Sequence, residues 1–295
     1  MNEKFSNWMR QIQAACETSL AQLLPDENTV PNKLHAAMRY ATLDGGKRVR
    51  PLLVHAAGQL FDAQADMLSR AAAAVEMIHA YSLVHDDMPC MDDDALRRGK
   101  PTVHVKYDEA TALLVGDALQ AQAFLVLAEG TGDAASKLAM LQLLARAAGS
   151  VGMCGGQAID LDSVGVALNR EQLEQMHRLK TGALLRASVL LGAMCGKTLT
   201  AADQIALDRY AAAIGLAFQV VDDVLDATAD SATLGKTAGK DAADNKPTFV
   251  SLMGLDASRA LAVQLCHDAH AALQDYGDKA SLLHDLADLI VQRQA

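Results

Sequence analysis

The chain has 295 residues, of which 51% are hydrophobic, and a formal net charge of −10. This length suffices for one large domain or two ordinary ones, and the apolar fraction suffices for a sizeable core. The acidic balance argues against nucleic acid as the main partner, because binding to a phosphate backbone needs a basic face. An acidic chain with a few concentrated basic segments fits a small anionic ligand better.

The spacing of apolar residues predicts helices along almost the whole chain. Ala and Leu dominate the apolar set, and β-branched runs are scarce, which favours helix over sheet. The predicted helices span 5–24, 31–43, 51–61, 66–85, 105–129, 133–153, 170–180, 181–195, 201–226, 257–275 and 279–293. No linker, composition shift or repeat divides them. We therefore predict one all-α domain over residues 1–295, built as a large helical bundle.

The cysteines and the N-terminal residues indicate in which cell compartment the protein is expected. The five cysteines are scattered and lack CxxC spacing, which predicts reduced thiols in a cytoplasmic protein. A nucleophilic role for Cys90 is open, but no His/Asn pattern accompanies it. Residues 1–10 carry mixed charge and no apolar signal core. Charged residues interrupt the best apolar stretches short of the ~18 needed to cross a bilayer, so we expect no membrane span.

An acidic stretch follows the apolar run 71–84. Five aspartates and two arginines lie within fourteen residues, 86–99. Carboxylates this close repel one another, and Mg²⁺ removes the conflict because it takes oxygen ligands together with substrate phosphates. Arg97 and Arg98 suit the same phosphates. Pro89 breaks the helix, so Asp92 can return towards Asp86. A plain acidic turn is the alternative to this magnesium–diphosphate site.

A second acidic group lies at residues 222–226. Asp222 and Asp226 are four apart, hence on one face of a helix, and Asp223 lies between them. Their neighbours are apolar, so three aspartates are costly here unless a cation meets them. The alternative is a solvated helix end before the polar loop 228–244. Two such clusters on separate helices could face each other and hold several Mg²⁺ ions.

Basic residues concentrate in three places. The Gly45–Gly46 pair, which lets backbone approach an anion, precedes Lys47, Arg48 and Arg50. A solvated charge run is the alternative. Further cations follow each acidic group or flank it, and the glycine-containing loop 234–240 is typical of a lid. His79 lies two helical turns before Asp86 on roughly the same face, although a lone helix histidine is more often structural.

Taken together, these segments resemble the motifs of a known enzyme family. The chain resembles the trans-isoprenyl diphosphate synthases, enzymes of isoprenoid biosynthesis, and among them the bacterial farnesyl diphosphate synthases. The resemblance runs from about residue 33 to 293 and is carried by GGKRVRP (45–51), IHAYSLVHDDMPCMDDDALRRGKPTVH (78–104), GGQAIDL (155–161), KTGALLRASV (180–189) and GLAFQVVDDVLD (215–226). It implies the all-helical isoprenoid synthase fold around a central apolar cavity, and a homodimer.

The resemblance also implies roles for individual residues. About three Mg²⁺ ions per site, with substrate bound, would be held by aspartates of the two acidic groups, namely Asp86, Asp87, Asp92, Asp222, Asp223 and Asp226. The diphosphate of isopentenyl diphosphate would contact Lys47, Arg50, His79 and Arg98. The allylic diphosphate would contact Arg97, Lys180, Thr181, Gln219, Lys236 and Lys246. Catalysis itself would rest on Asp86, Asp92, Arg97, Lys180 and Asp222. The C-terminus 291–295 is not the basic tail of some eukaryotic relatives, so we expect no tail contribution to isopentenyl diphosphate binding.

The implied reaction is a Mg²⁺-dependent, head-to-tail condensation of isopentenyl diphosphate with dimethylallyl and then geranyl diphosphate. Tyr81 and Ser82, about one turn before Asp86, would stop the product at farnesyl diphosphate; Tyr81 as a mere core aromatic is the alternative. Geranyl or geranylgeranyl diphosphate synthesis stays open. A class I terpene cyclase is disfavoured because it needs no second basic site, and a non-catalytic subunit because both aspartate motifs are intact.

Overall fold

The computed structural model describes residues 2–228 and 247–293. Its helices are α1 (Glu3–Leu23), α2 (Asn32–Thr42), α3 (Val49–Leu60), α4 (Ala65–Asp86), α5 (Val103–Lys106), α6 (Glu109–Ala128), α7 (Ala134–Ala148), α8 (Met153–Asp162), α9 (Arg170–His177), α10 (Ala183–Met194), α11 (Ala201–Thr228), α12 (Phe249–Met253), α13 (Leu255–Ala272) and α14 (Ser281–Gln292). A π-helical turn, Arg178–Gly182, joins α9 to α10, and a 3-10 segment, Gln274–Ala280, precedes α14. Strands β1 (Leu96–Arg97) and β2 (Lys100–Pro101) form a short antiparallel hairpin.

The predicted all-α class is confirmed, but α8, α12 and the β1–β2 hairpin were not predicted, and several helix boundaries differ. The helix predicted over 133–153 ends at Ala148, and the glycine-rich segment after it opens a separate helix, α8, that sequence periodicity missed. The break predicted at 180/181 is instead the π-helical turn, which keeps the chain helical from α9 into α10. The predicted helix over 105–129 is divided into α5 and α6.

Two apolar clusters form the core, and α3 and α10 contribute to both. One cluster surrounds α4, whose residues 71–75 are almost fully buried, and includes one face of α6. The other surrounds α11 and receives apolar residues from α13 and α14. The helices α3 and α10 approach closely: a Cβ on Gly192 would lie 2.1 Å from the carbonyl oxygen of Val54. This contact couples the helices that carry the basic turn and the Lys180 segment.

Two stretches, Glu109–Ala128 and Ala134–Asp162, are long and apolar enough to cross a membrane by length and composition. The second of them comprises two helices, α7 and α8. Buried core helices of soluble proteins meet the same criteria, so one or two such helices are weak grounds for a membrane span.

Candidate active site

The first acidic motif turns back on the end of α4. The backbone N–H of Asp92 donates to the carbonyl oxygen of Asp86 at 2.9 Å, which is the return expected from Pro89. Burial, opposed by the charge of Lys180 and assisted by the charge of Asp92, raises the pKa of the Asp86 carboxyl from 3.8 to about 6. The turn therefore collects carboxylates that destabilise one another's charged form, an arrangement that a divalent cation relieves.

Asp87 and Arg97 bind each other across this motif. Arg97 Nε donates to Asp87 Oδ2 at 2.8 Å, and Nη2 donates to Oδ1 at 2.5 Å, while the Asp87 side chain is buried. Burial lowers the pKa of Arg97, but its bonds to Asp87 outweigh this and raise it overall. The structure thus joins two residues that the resemblance assigns to different ligands, the metal and the allylic diphosphate.

The three aspartates of the second motif have different surroundings. Asp222 Oδ1 accepts a bond from Arg293 Nη2 at 3.2 Å. Asp223 Oδ2 accepts a bond from the backbone N–H of Phe249 at 2.7 Å, at the start of α12. The Oδ1 atom of Asp226 is buried and, among the described residues, has no hydrogen-bond partner. A buried carboxylate oxygen without a donor is the environment that a metal ion satisfies.

The basic turn 45–50 meets His79 from α4 and Arg98 from the turn between β1 and β2. The Arg98 guanidinium lies against the turn, where a Cβ on Gly45 would be only 2.5 Å from Arg98 Nη1. Burial lowers the pKa of Arg50 to about 10, with Glu76 opposing and Arg98 adding to the effect. Burial and the neighbouring arginines hold the pKa of His79 well below its ordinary value. Buried basic groups this close together favour an anion between them, because an anion stabilises their charged forms.

Arg48 has a different task from its neighbours Lys47 and Arg50. Its backbone is left-handed (φ 53°), and its buried guanidinium donates from Nη1 to Glu76 Oε1 at 2.7 Å and from Nε to Glu17 Oε1 at 2.9 Å. These bonds hold the turn in place rather than facing a ligand. The sequence signal for this anchor was Glu76, an acidic residue inside the most apolar helix, because a buried carboxylate needs a cation.

The π-helical turn carries two of the predicted substrate residues. Lys180 Nζ donates to Asp160 Oδ2 at 2.6 Å, and Asp160 belongs to the GGQAIDL segment on α8. Thr181 Oγ1 donates to Gln219 Oε1 at 2.5 Å, which links the turn to α11. Asp160 had no role in the predictions from sequence, although its motif was recognised.

Arg293, directly after α14, is a site residue that the sequence missed. Its Nη2 donates to the Phe218 carbonyl oxygen at 2.7 Å and to Asp222, and its guanidinium lies 3.9 Å from the centre of the Phe218 ring. Burial lowers its pKa, against the opposing effect of Asp222. The C-terminal segment therefore brings one cation to the second aspartate motif, although it is not a basic tail.

A cavity of about 770 Å³ contains most of the basic residues. Its charged lining comprises Asp44, Lys47, Arg48, Arg50, Glu76, His79, Asp87, Arg97, Arg98, Lys100 and Arg293. Apolar side chains such as Leu83, Val84 and Phe218 complete the wall. The lining does not include Asp86, Asp222, Lys180 or Tyr81.

Of the remaining predicted site residues, the structure describes the two that were expected to set the product length. Tyr81 is buried and contacts His85 edge to face, with ring centroids 5.8 Å apart. Ser82 Oγ donates to the His79 carbonyl oxygen at 2.9 Å. Lys236 and Lys246 lie outside the described residues.

Comparisons with known proteins identify the family of the chain. Residues 31–286 match the family described as polyprenyl synthetase. The farnesyl diphosphate synthase of Escherichia coli is 48% identical, over 92% of this chain and 91% of the relative. An FPP/GFPP synthase from Zymomonas mobilis, solved in the apo state, superimposes with a TM-score of 0.89 at 42% identity, covering 99% of this chain and 100% of that one. A geranyltransferase from Helicobacter pylori, complexed with magnesium and isoprenyl diphosphate, gives a TM-score of 0.82 at 32% identity, covering 96% and 95%.

Proposed function

The chain belongs to the polyprenyl synthetase family and makes farnesyl diphosphate as a prenyltransferase, and on this premise we propose how its side chains share the reaction. The observation that carries the assignment is a cavity lined by basic residues, by Asp87 of the first aspartate motif and by Arg293, whose guanidinium donates to Asp222 of the second motif. Two diphosphate esters, one of them bound through a divalent cation, balance both sets of charges.

Isopentenyl diphosphate occupies the basic turn. Lys47, Arg50, His79 and Arg98 bind its diphosphate, and Arg48 holds the turn through Glu76 and Glu17 without touching substrate. This is supported by the lowered pKa values of Arg50 and His79, which an anion would bring back towards their ordinary values. Bound here, the substrate presents its double bond to the apolar part of the cavity.

The allylic diphosphate binds between the two aspartate motifs. Magnesium fits the residues present, because a buried oxygen of Asp226 has no hydrogen-bond partner within 2–228 and 247–293 and the pKa of Asp86 is raised. The ligands are aspartates on both motifs: Asp86, Asp87, Asp92, Asp222, Asp223 and Asp226, for about three ions per site. When bound, Mg²⁺ neutralises the leaving diphosphate so that the allylic C–O bond can ionise. The Helicobacter relative, solved with magnesium and isoprenyl diphosphate, supports this cofactor.

Cationic side chains complete the allylic site. Lys180, oriented by Asp160, adds positive charge to the leaving diphosphate, and Thr181 with Gln219 lies beside it. Arg97 also binds the allylic diphosphate, after replacing some of its hydrogen bonds to Asp87 by hydrogen bonds to the substrate. Lys236 and Lys246, outside the described residues, are proposed for the same diphosphate from the resemblance alone.

The protein's side chains hold and orient the two substrates and exclude water while the substrates react. The allylic C–O bond breaks, a carbon–carbon bond forms to the isopentenyl double bond, and the released diphosphate takes the proton lost from the new chain. Water would capture the allylic cation, so Leu83 and Val84 keep this wall of the cavity dry. Repetition extends a C5 starter to C10 and C15.

Product analysis tests the proposal directly. Dimethylallyl and isopentenyl diphosphates together should give farnesyl diphosphate with Mg²⁺, and either substrate alone should release no pyrophosphate. Chelation should abolish release and Mg²⁺ should restore it. Pyrophosphate release from an allylic diphosphate alone would instead favour a terpene cyclase, and release from neither would favour a non-catalytic subunit.

Tyr81 limits the product length in this proposal. It is buried on α4 one turn before Asp86, near Gln120 of α6 and Cys154 of α8, so a growing chain that leaves Asp86 along α4 meets its ring. Ser82, held to the His79 carbonyl, lies beside it. Tyr81→Ala should release C20 and longer products at a similar condensation rate, whereas Tyr81→Phe should still stop at C15. A folded, active Tyr81→Ala enzyme that stops at C15 would place the limit elsewhere.

The whole chain acts as one domain in this proposal, in the cytoplasm and as a homodimer. The five free cysteines support a reducing compartment. Exposed leucines on α6, among them Leu114 and Leu125, support a partner surface on that helix.

A further inference from the structure

A second group of potential metal ligands lies between α13 and α14, apart from both aspartate motifs. Cys266 and His270 are four residues apart on α13, and His284 and Asp288 are four apart on α14. Residues with this spacing share a helix face. The two pairs meet where the helices pack against each other.

The contacts in this group converge on one carboxylate. Asp288 Oδ1 lies 3.2 Å from Cys266 Sγ and 3.0 Å from His270 Nε2. One ligand atom from each of these residues lies within 4.8 Å of the others. The His284 ring stacks on His270 with centroids 4.5 Å apart, and its Nε2 is buried with no hydrogen-bond partner in the described part of the chain.

We propose that Cys266, His270 and Asp288 form a binding site for Zn²⁺ that ties α13 to α14. A thiol, an imidazole and a carboxylate are the ligands of tetrahedral zinc, whereas Mg²⁺ prefers oxygen atoms alone. The fourth position goes to water. Coordination replaces the S–H proton of Cys266, and that proton passes to solvent.

A hydrolytic Cys–His–Asp arrangement fits these residues poorly. In a cysteine nucleophile site the thiol contacts the histidine and the carboxylate orients that histidine. Here the Cys266 thiol donates to Asp288 instead. None of these four residues lines the cavity, although Leu289 and Ile290, the next residues after Asp288, do.

The position of the site connects it to the second aspartate motif. Asp288 lies on α14, and Arg293 directly after this helix donates to Asp222 and to the Phe218 carbonyl. A metal between α13 and α14 fixes the helix that delivers Arg293. Its occupancy should therefore reduce the fluctuation of α14.

Spectroscopy with Co²⁺ in place of Zn²⁺ tests the ligand set on the full chain. The protein, stripped of metal and kept in excess Mg²⁺ to saturate the aspartate motifs, is titrated with Co²⁺. We expect one equivalent to give a thiolate-to-cobalt charge-transfer absorption. Cys266→Ser should lose this absorption, and Cys90→Ser, which removes the thiol beside the first aspartate motif, should keep it.

Zinc affinity and hydrogen exchange complete the test. His270→Gln and Asp288→Asn should each weaken Zn²⁺ binding by at least about 100-fold, because even outer-shell changes at zinc sites cost 10- to 100-fold. His267→Gln, an exposed histidine on the same helix, should bind as the parent does. Zn²⁺ should also slow amide exchange in residues 281–292. No charge-transfer band in the parent chain, or unchanged Zn²⁺ affinity in both variants, would overturn the proposal.

Discussion

At the residue scale, identical side chains in one motif carry different tasks, and their neighbours decide which. Asp222, Asp223 and Asp226 fall within five residues, yet Asp222 accepts from Arg293, Asp223 accepts from a backbone N–H, and one buried oxygen of Asp226 has no donor among the described residues. Arg48 and Arg50 differ in the same way. Arg48 has two carboxylate partners, whereas burial lowers the pKa of Arg50 to about 10 despite the nearby Glu76.

Replacing Asp86 by Asn should stabilise the metal-free protein and impair the enzyme. The pKa of Asp86 is about 6 in the folded state and 3.8 in the unfolded state. The charged carboxylate therefore lowers the free energy of unfolding: the loss is absent below about pH 4, grows as pH rises towards 6 and is fully present above pH 6. At pH 8 we expect a gain on the order of 3 kcal/mol for the variant, and none near pH 4. Turnover should fall about 10²- to 10³-fold, because charge stabilisation of the leaving group is lost.

Thermal unfolding with chelator at pH 4 and pH 8, together with pyrophosphate release, measures both effects of the Asp86 change. Asp93→Asn is the control, since Asp93 is exposed in the same turn. Equal melting temperatures for Asp86→Asn and the parent at pH 8 would contradict a charged carboxylate destabilised by burial.

Lys47→Ala should raise the Michaelis constant for isopentenyl diphosphate far more than that for geranyl diphosphate. Lys47 lines the cavity, and burial, with help from nearby Arg293, lowers its pKa. Losing one charged hydrogen bond of about 1.5–3 kcal/mol corresponds to a roughly 10- to 100-fold increase. Steady-state kinetics with each substrate varied in turn would show it, and the surface variant Lys33→Ala should change neither constant. Equal increases for both substrates would refute the assignment of Lys47.

At the element scale, a π-helical turn presents Lys180, and close packing against α8 positions it. A Cβ on Gly156 would lie 2.1 Å from the Lys180 backbone nitrogen, so only glycine permits the contact. The same approach allows Asp160, one turn along α8, to reach the Lys180 ammonium. The packing of the π-helical turn against α8 thus fixes the orientation of the Lys180 side chain.

Gly156→Ala should push the π-helical turn away from α8. We expect a destabilisation of about 1–3 kcal/mol from overpacking, together with a fall in turnover because Lys180 moves. Gly182→Ala is the matched control, since its Cβ would meet only the His177 carbonyl oxygen at 3.6 Å, an ordinary contact. Chemical denaturation and turnover measure the two effects. Parent-like stability and activity in Gly156→Ala would mean that the turn adjusts freely.

At the scale of the whole molecule, α6 is unusual because it buries one face and exposes leucines on another. Leu114 and Leu125 are eleven residues apart, three helical turns, and about half of each is exposed. Apolar rows of this kind on a surface commonly mark an interface with another chain. The homodimer implied by the resemblance would cover them.

The double substitution Leu114→Lys and Leu125→Lys should convert the proposed homodimer into a monomer, because it places charge in the interface. Light scattering after size-exclusion chromatography measures the mass. Ile205→Lys, at an exposed position on α11, should leave the mass unchanged. A dimer that persists in the double variant, or a monomeric parent chain, would contradict the placement of the interface on α6.

Most of the helices and the chemistry of the site followed from the sequence alone, because both depend on local information. Apolar residues at helical spacing predicted the all-α class, and aspartates beside glycines and arginines predicted a metal–diphosphate site. The missed elements were short or glycine-rich. Helix α8 holds two adjacent glycines and little periodicity, and the turn Arg178–Gly182 is helical on both sides.

Tertiary structure alone decided which charged groups are partners. Arg48 pairs with Glu76, 28 residues away, and Arg293 reaches Asp222, 71 residues away. Local patterns do not specify such distances, since they follow from how helices pack. The same holds for the Cys266 and Asp288 contact between α13 and α14. Sequence therefore determined what kinds of groups the protein contains, and packing determined which of them face a ligand and which neutralise each other.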